Sequence, residues 1–195
     1  MTPRSCALCC CVLQGVGRRR PGFSEAAECE ILAREGAGQM LDVEVPGFRR
    51  LKLENLVLDY NGTLAQDGEL VPGVAERLEA LSGKLAICVL TADTFGKARE
   101  GLEGIPCELI VLPAGDQAAR KLRHVEKLGA DTTVCVGNGK NDALMLGMAA
   151  LGIAVVLEEG AARETIESAD ILCNSVTSAL DLLLNPMRLV ATLRS

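Results

Sequence analysis

The sequence predicts an α/β fold, a parallel sheet covered by helices on both faces. The first observation is an alternation. From Glu54 onward, short apolar runs take turns with stretches of helical period. The second is the character of the runs. They are nearly continuous in apolar residues, as strands buried on both faces must be. The third is size. With 195 residues, 49% hydrophobic and 24% charged, the chain suits one domain with a real core, or one domain plus an extension.

In chain order, Leu41, Val43 and Val45 alternate with acids as a half-buried strand should. Pro46-Gly47 marks a turn, and Leu51 and Leu53 alternate again. NLVLDY (55–60) is a buried strand. Pro72 suits the first turn of a helix that places Val74, Leu78 and Leu81 on one face. KLAICVLT (84–91) is the next strand, followed by a helix over about 94–102 and the strand CELIVL (107–112). A helix over 115–129 turns Ala118, Leu122 and Val125 inward and stops at Gly129. The strand TTVCVG (132–137), a helix over 142–150, the strand GIAVVL (152–157) and a helix over 161–168 complete the pattern. DILC (170–173) is a short last strand. Helices over about 176–184 and 187–194, with Pro186 between them, end the chain.

Residues 1–39 have no such period. They hold five of the nine cysteines and end their apolar part in three arginines. The apolar stretch is short and lacks a small-residue cleavage site, unlike a secretion signal. Cys6 and Cys9 form a CxxC, but there is no second CxxC, and His124 is the single histidine. The segment reads as a poorly ordered extension or a misassigned start, with the functional domain over 40–195. Cys88, Cys107, Cys135 and Cys173 are scattered, mostly in apolar runs, which fits a reducing cytoplasm. No run reaches the ~18 apolar residues of a membrane span. A net charge of −6, one Tyr, three Phe and no Trp argue against nucleic acid as a partner.

Ligands of parallel sheets bind beyond the strand C-termini. Those tips carry Asp59, then Thr91 and Asp93, then GNGKND (137–142), and Lys121 starts the second turn of its helix. A carboxylate, a threonine, a lysine and a second acidic loop at one place suit phosphoryl transfer. Asp59 would attack phosphorus and split the reaction through an aspartyl phosphate. Thr91 would donate to a phosphoryl oxygen, Lys121 would offset its charge, and Asp142 with Asp59 would hold Mg²⁺. Each residue also has a plain structural explanation. Asp59 could close a turn, Thr91, Asp93 or Thr94 could cap a helix, and Lys121 could be solvated. Glu158 and Glu159, at the tip of the fifth strand, could touch substrate, but they read best as the start of a helix, where acids are favoured.

In order, DYNGT (59–63), LTADT (90–94), Lys121 and GNGKND resemble the haloacid dehalogenase (HAD) superfamily, and more narrowly its soluble P-type ATPase-like group. The resemblance covers about residues 40–195. It implies a three-layer Rossmann-like core with strand order 5-4-1-2-3 and a bound Mg²⁺. It implies Asp59 as nucleophile, with Asn61, Thr91 and Lys121 in the catalytic set. Phosphate would meet Gly62, Thr63, Ala92, Asp93 and Lys121. Metal would meet Asp59, the Asn61 backbone carbonyl, Asn138 and Asp142.

Three departures refine this. Position 61 is usually an Asp that serves as general acid and base, and an amide cannot do that. Asn138 replaces the first Asp of the metal loop. Only 27 residues separate Thr63 from Thr91, and 27 separate Asp93 from Lys121, whereas a cap domain needs ~50 or more. The expected protein is therefore a slow, capless Mg²⁺-dependent phosphatase or phosphotransferase acting on a phosphorylated substrate, with true ATPase activity doubtful. Its open site suits a protruding phosphate or closure by a neighbouring subunit in a homo-oligomer. The alternative is a phosphate-sensing or partner-binding module.

Overall fold

The computed structural model describes residues 40–93 and 95–195. The readings made for residues 1–39, including the Cys6–Cys9 pair, and for Thr94 lie outside the described residues. The domain opens with β1 (Leu41–Glu44) and β2 (Arg50–Leu53), an antiparallel hairpin whose alternate leucines and valines are buried. The first central strand, β3 (Asn55–Asp59), leads into a two-residue-stranded hairpin, β4 (Ala65–Gln66) and β5 (Glu69–Leu70). This small flap was not predicted, because each of its strands is too short to show a period. Buried Tyr60 ties it down by donating from its hydroxyl to the Gly68 carbonyl (3.1 Å).

Then come α1 (Val74–Ser82), β6 (Ala86–Thr91), α2 (Ala98–Gly101), β7 (Glu108–Val111) and α3 (Gln117–Leu128). They are followed by β8 (Thr133–Gly137), α4 (Ala143–Met148), β9 (Leu151–Val155), α5 (Arg163–Ser168) and β10 (Ile171–Cys173). The chain closes with α6 (Val176–Leu184) and α7 (Pro186–Leu193), Pro186 taking the first helical position. Among the described residues no helix is long and apolar enough to cross a membrane.

The six-stranded sheet runs β10-β9-β8-β3-β6-β7 and is parallel throughout. The five strands β9-β8-β3-β6-β7 stand in the expected order 5-4-1-2-3, with β10 added beside β9. Side chains alternate between two apolar clusters, one on each face. Leu56, Leu58, Val89, Val134 and Ile153 pack with α1 and α6. Val57, Cys88, Leu90, Cys135 and Ala154 pack with α3 and α4. None of the four described cysteines forms a disulfide, and three of them are buried.

Some boundaries moved. The helix expected from about residue 94 begins only at Ala98, because Asp93 (φ 49°) and Gly96 (φ 69°) take left-handed backbone that ends helical propagation. Along α3, Lys121 and Val125 are the buried pair, one turn apart, while Ala118 and Leu122 are half-buried. Glu158 and Glu159 do not start a helix. They form a turn closed by Gly160 N–H on the Leu157 carbonyl (2.8 Å), and α5 starts at Arg163.

Strand β9 lies so close to α4 that a Cβ on Gly152 would stand 2.5 Å from the Leu146 backbone carbonyl. Backbone cannot yield as a side chain tip can. Gly152→Ala is therefore expected to cost about 1–3 kcal/mol, read as a lower urea midpoint at unchanged slope.

Candidate active site

Because the sheet is parallel, β8, β3 and β6 end side by side. Their tips set Asn138, Asp59 and Thr91 along one edge. They border a cleft of about 160 Å³, together with Asn61 and Ala92. The far rim is made by Gln117 and Asn141, whose side chains are joined (Nδ2 to Oε1, 3.0 Å), and by Glu159.

Under the cleft floor lies a buried ionic triad. Lys121 Nζ donates to Asp59 Oδ1 (2.5 Å) and to Asp142 Oδ1 (2.6 Å). Lys121 and Asp142 are inaccessible to solvent and Asp59 is 7% exposed. Burial pushes the Asp59 carboxyl up to about 7, Asp142 pushes it the same way, and Lys121 pulls it down. Lost hydration opposes the Lys121 charge, but Asp59 and Asp142 outweigh that loss and hold the ammonium above its ordinary value. The lysine is thus the counterion that lets a carboxylate stay at the bottom of a dry strand tip.

Asp142 is occupied on both oxygens. Oδ1 accepts from Lys121, and Oδ2 accepts the backbone N–H groups of Asn138 (3.1 Å) and Gly139 (2.9 Å). It shapes the loop and balances the lysine, and it does not reach the cleft. Asn138 is also engaged at both ends. Its Oδ1 accepts from the Thr63 hydroxyl (3.2 Å), and its Nδ2 donates to the Gly160 carbonyl (3.0 Å). Only an amide can fill both roles, since a carboxylate has no donor for Gly160.

Gly62 (φ 76°) packs against this amide. A Cβ there would stand 2.5 Å from Asn138 Nδ2. Gly62 and Thr63 therefore brace Asn138 and do not line the cleft. Thr91 does line it. Its hydroxyl accepts from the Asp93 N–H (2.9 Å), which leaves its own proton free to donate. Asp93 turns away and accepts from Ala98 N–H (3.0 Å) at the start of α2, acting as a cap. Asn61 Oδ1 is a buried acceptor without a hydrogen-bond partner among the described residues. His124 rests on Cys88 (3.3 Å), half-buried in the α3 face, and takes no part in the cleft.

Sequence reasoning missed Gln117 and Asn141, and for Glu159 it preferred a helix start to contact with substrate. Their signal was positional. Asn141 lies inside the acidic loop motif, and Gln117 opens the helix that carries Lys121.

No family model matches the chain. Among solved structures, it resembles the cobalt-bound deoxy-D-mannose-octulosonate 8-phosphate phosphatase of Haemophilus influenzae. The TM-score is 0.59 at 13% identity, covering 73% of this chain and 94% of that one. The catalytic domain of the CPx-ATPase CopB-B is 26% identical with a TM-score of 0.50, over 60% of this chain and 46% of that one. The described domain has the fold of haloacid dehalogenase family hydrolases. Another structure with the superfamily's fold is the 3-deoxy-D-manno-octulosonate 8-phosphate phosphatase of Moraxella catarrhalis, in complex with magnesium ion, phosphate ion and a KDO molecule. It matches with a TM-score of 0.52 at 16% identity, covering 73% of this chain and 94% of that one. An uncharacterised protein of Methanocaldococcus jannaschii is 44% identical over 84 residues, which are 41% of this chain and 90% of that protein. A second from that organism is 49% identical over 39 residues, 20% of this chain and 89% of that one.

Proposed function

We propose that the protein is a slow phosphatase or phosphotransferase that captures phosphate on Asp59. The observation that carries this reading is the buried Asp59–Lys121–Asp142 triad below an open polar cleft at the tips of a parallel sheet. A carboxylate held against a lysine ammonium at such a point, with one face toward solvent, is placed to act as a nucleophile.

An Asp59 oxygen attacks phosphorus as the bond to the leaving oxygen breaks, giving an acyl phosphate and the departing alkoxide or phenolate. Lys121 draws charge from the attacking carboxylate, and the Thr91 hydroxyl donates to a phosphoryl oxygen. Water then attacks the same phosphorus and returns Asp59 as a carboxylate with inorganic phosphate. Asn61 stands beside both steps but cannot give or take a proton. The leaving group must take its proton from solvent, and the attacking water must lose its proton there.

The residues present fit a hard divalent cation such as Mg²⁺. The cleft offers oxygen donors, and the orphaned Asn61 Oδ1 is an acceptor that calls for a partner. Asp59 and Asn138 would help hold the ion, and Asp142 would act from behind through Lys121 and the loop. The ion, when bound, supplies positive charge that screens the phosphate from the carboxylates. The absence of any inserted domain among the described residues leaves the cleft open, which suits a phosphate that protrudes from its parent molecule.

A substrate with a good leaving group separates the two steps. With p-nitrophenyl phosphate and Mg²⁺, we expect a burst of about one p-nitrophenolate per site and then slow turnover. Asn61→Asp restores a group able to carry the proton and should speed turnover by ~10²–10⁴-fold. Beryllofluoride binding with no burst and no turnover would instead favour a phosphate-sensing module.

A further inference from the structure

Among the described residues, those that line the cleft include two carboxylates, Asp59 and Glu159, and no lysine or arginine. A dianionic phosphate entering such a space would meet only repulsion and neutral dipoles. Lys121 does not relieve this, because it lies beneath the floor and is shared between two aspartates. The cleft therefore needs a cation of its own.

Glu159 is held ready for one. It has no hydrogen-bond or ionic partner among the described residues, and it stands on a loop that is not free. The turn that carries it is tied at three points. Gly160 N–H bonds the Leu157 carbonyl (2.8 Å), Ala162 N–H bonds the Asn138 carbonyl (2.8 Å), and Asn138 Nδ2 bonds the Gly160 carbonyl (3.0 Å). Two of these ties come from Asn138 at the tip of β8. As a result, Glu159 Oε2 and Asn138 Oδ1 both lie 2.9 Å from one point above Gly62, the place a side chain at that residue would fill. Asn61, the next residue back along the chain, also lines the cleft, and its Oδ1 is a buried acceptor without a hydrogen-bond partner among the described residues. Glu159, Asp59 and the amide oxygen of Asn138 make a donor set of the kind that hard divalent cations take, with water completing the shell.

We propose that Glu159 supplies the second carboxylate of the divalent-cation site, and that Asn138 serves as a neutral ligand whose amide also positions the Glu159 turn. On this account the amide at position 138 does not mark a decayed site. It exchanges a charge for a tether, and the charge is delivered from the neighbouring loop. The proposal rests on the phosphate-site reading above and adds a ligand to it.

Mn²⁺ titration of the full chain, followed by the electron paramagnetic resonance signal of the free ion, tests this without substrate or turnover. Three proteins are compared: wild type, Glu159→Gln and Asp59→Asn. Glu159 is exposed, so the isosteric amide should leave the thermal midpoint unchanged. We expect Glu159→Gln to weaken Mn²⁺ at least ~10-fold, the scale set by loss of even an outer-shell partner, and Asp59→Asn to weaken it as well. Weakening by Asp59→Asn with wild-type affinity in Glu159→Gln would overturn the role of Glu159 and leave the phosphate site standing. Wild-type affinity in both variants, or no binding by the wild type at millimolar Mn²⁺, would overturn both.

Discussion

Asp59→Asn should abolish phosphate capture and leave the fold intact. The amide has no nucleophilic oxygen of comparable strength, so the burst with p-nitrophenyl phosphate should vanish. Steady turnover should fall by a factor on the order of 10⁴ or more, as when other enzymes lose their nucleophile. Hydroxylamine-labile phosphate on the protein, the mark of an acyl phosphate, should vanish with it. Stability should barely change. Lys121 keeps its bond to Asp142, and the variant removes a buried charge whose desolvation is unfavourable. A melting temperature within about 4 °C of wild type, roughly 1 kcal/mol for a chain of this size, is the expected control. Equal burst amplitudes in the two proteins would remove Asp59 from the mechanism.

Lys121→Met should have the largest effect on stability. Methionine replaces the buried stem, but nothing replaces the ammonium that lies between two carboxylates, 2.5 and 2.6 Å from each. Breaking a buried pair of this kind costs about 3–5 kcal/mol. The loss should depend on pH in a definite direction. With the lysine present, the folded Asp59 pKa is already raised to about 7, from 3.8 for the unperturbed group. The folded protein therefore binds more protons than the unfolded chain across that window, and stability falls as pH rises through it. Without Lys121 the folded pKa of Asp59 rises further, and the window extends upward. The deficit of the variant should be small near pH 5 and large near pH 8. Urea denaturation in EDTA at the two pH values measures it, and a deficit independent of pH would mean that the triad is not the cause.

Much of the site could be read from residue order because each piece is local. A strand tip needs a short apolar run and a polar stop, and DYNGT, LTADT and GNGKND supply three of them. Parallel pairing then brings the tips together with no further information. Lys121 was legible from its place in the order of motifs, but its burial was not. The expected inward face was Ala118, Leu122 and Val125, whereas the fold buries Lys121 with Val125, one turn apart. The flap formed by β4 and β5 and the late start of α2 were not legible. Two-residue strands and single left-handed residues such as Asp93 leave no periodic trace.

The roles of the polar residues divide along the same line. The fold class and the gathering of Asp59 and Thr91 at strand tips follow from pattern along the chain, because hydrophobic periodicity and parallel connection are encoded locally, while the strand order came only from the resemblance of the motifs to a known family. The duties of Asn138, Asp93 and Glu159 do not. Each depends on which partner stands within 3 Å in space: Gly160 and Thr63 for Asn138, the Ala98 N–H for Asp93, the open cleft for Glu159. Hydrogen bonds are directional and short in range, so donors and acceptors far apart in sequence acquire their roles only once the sheet has been assembled.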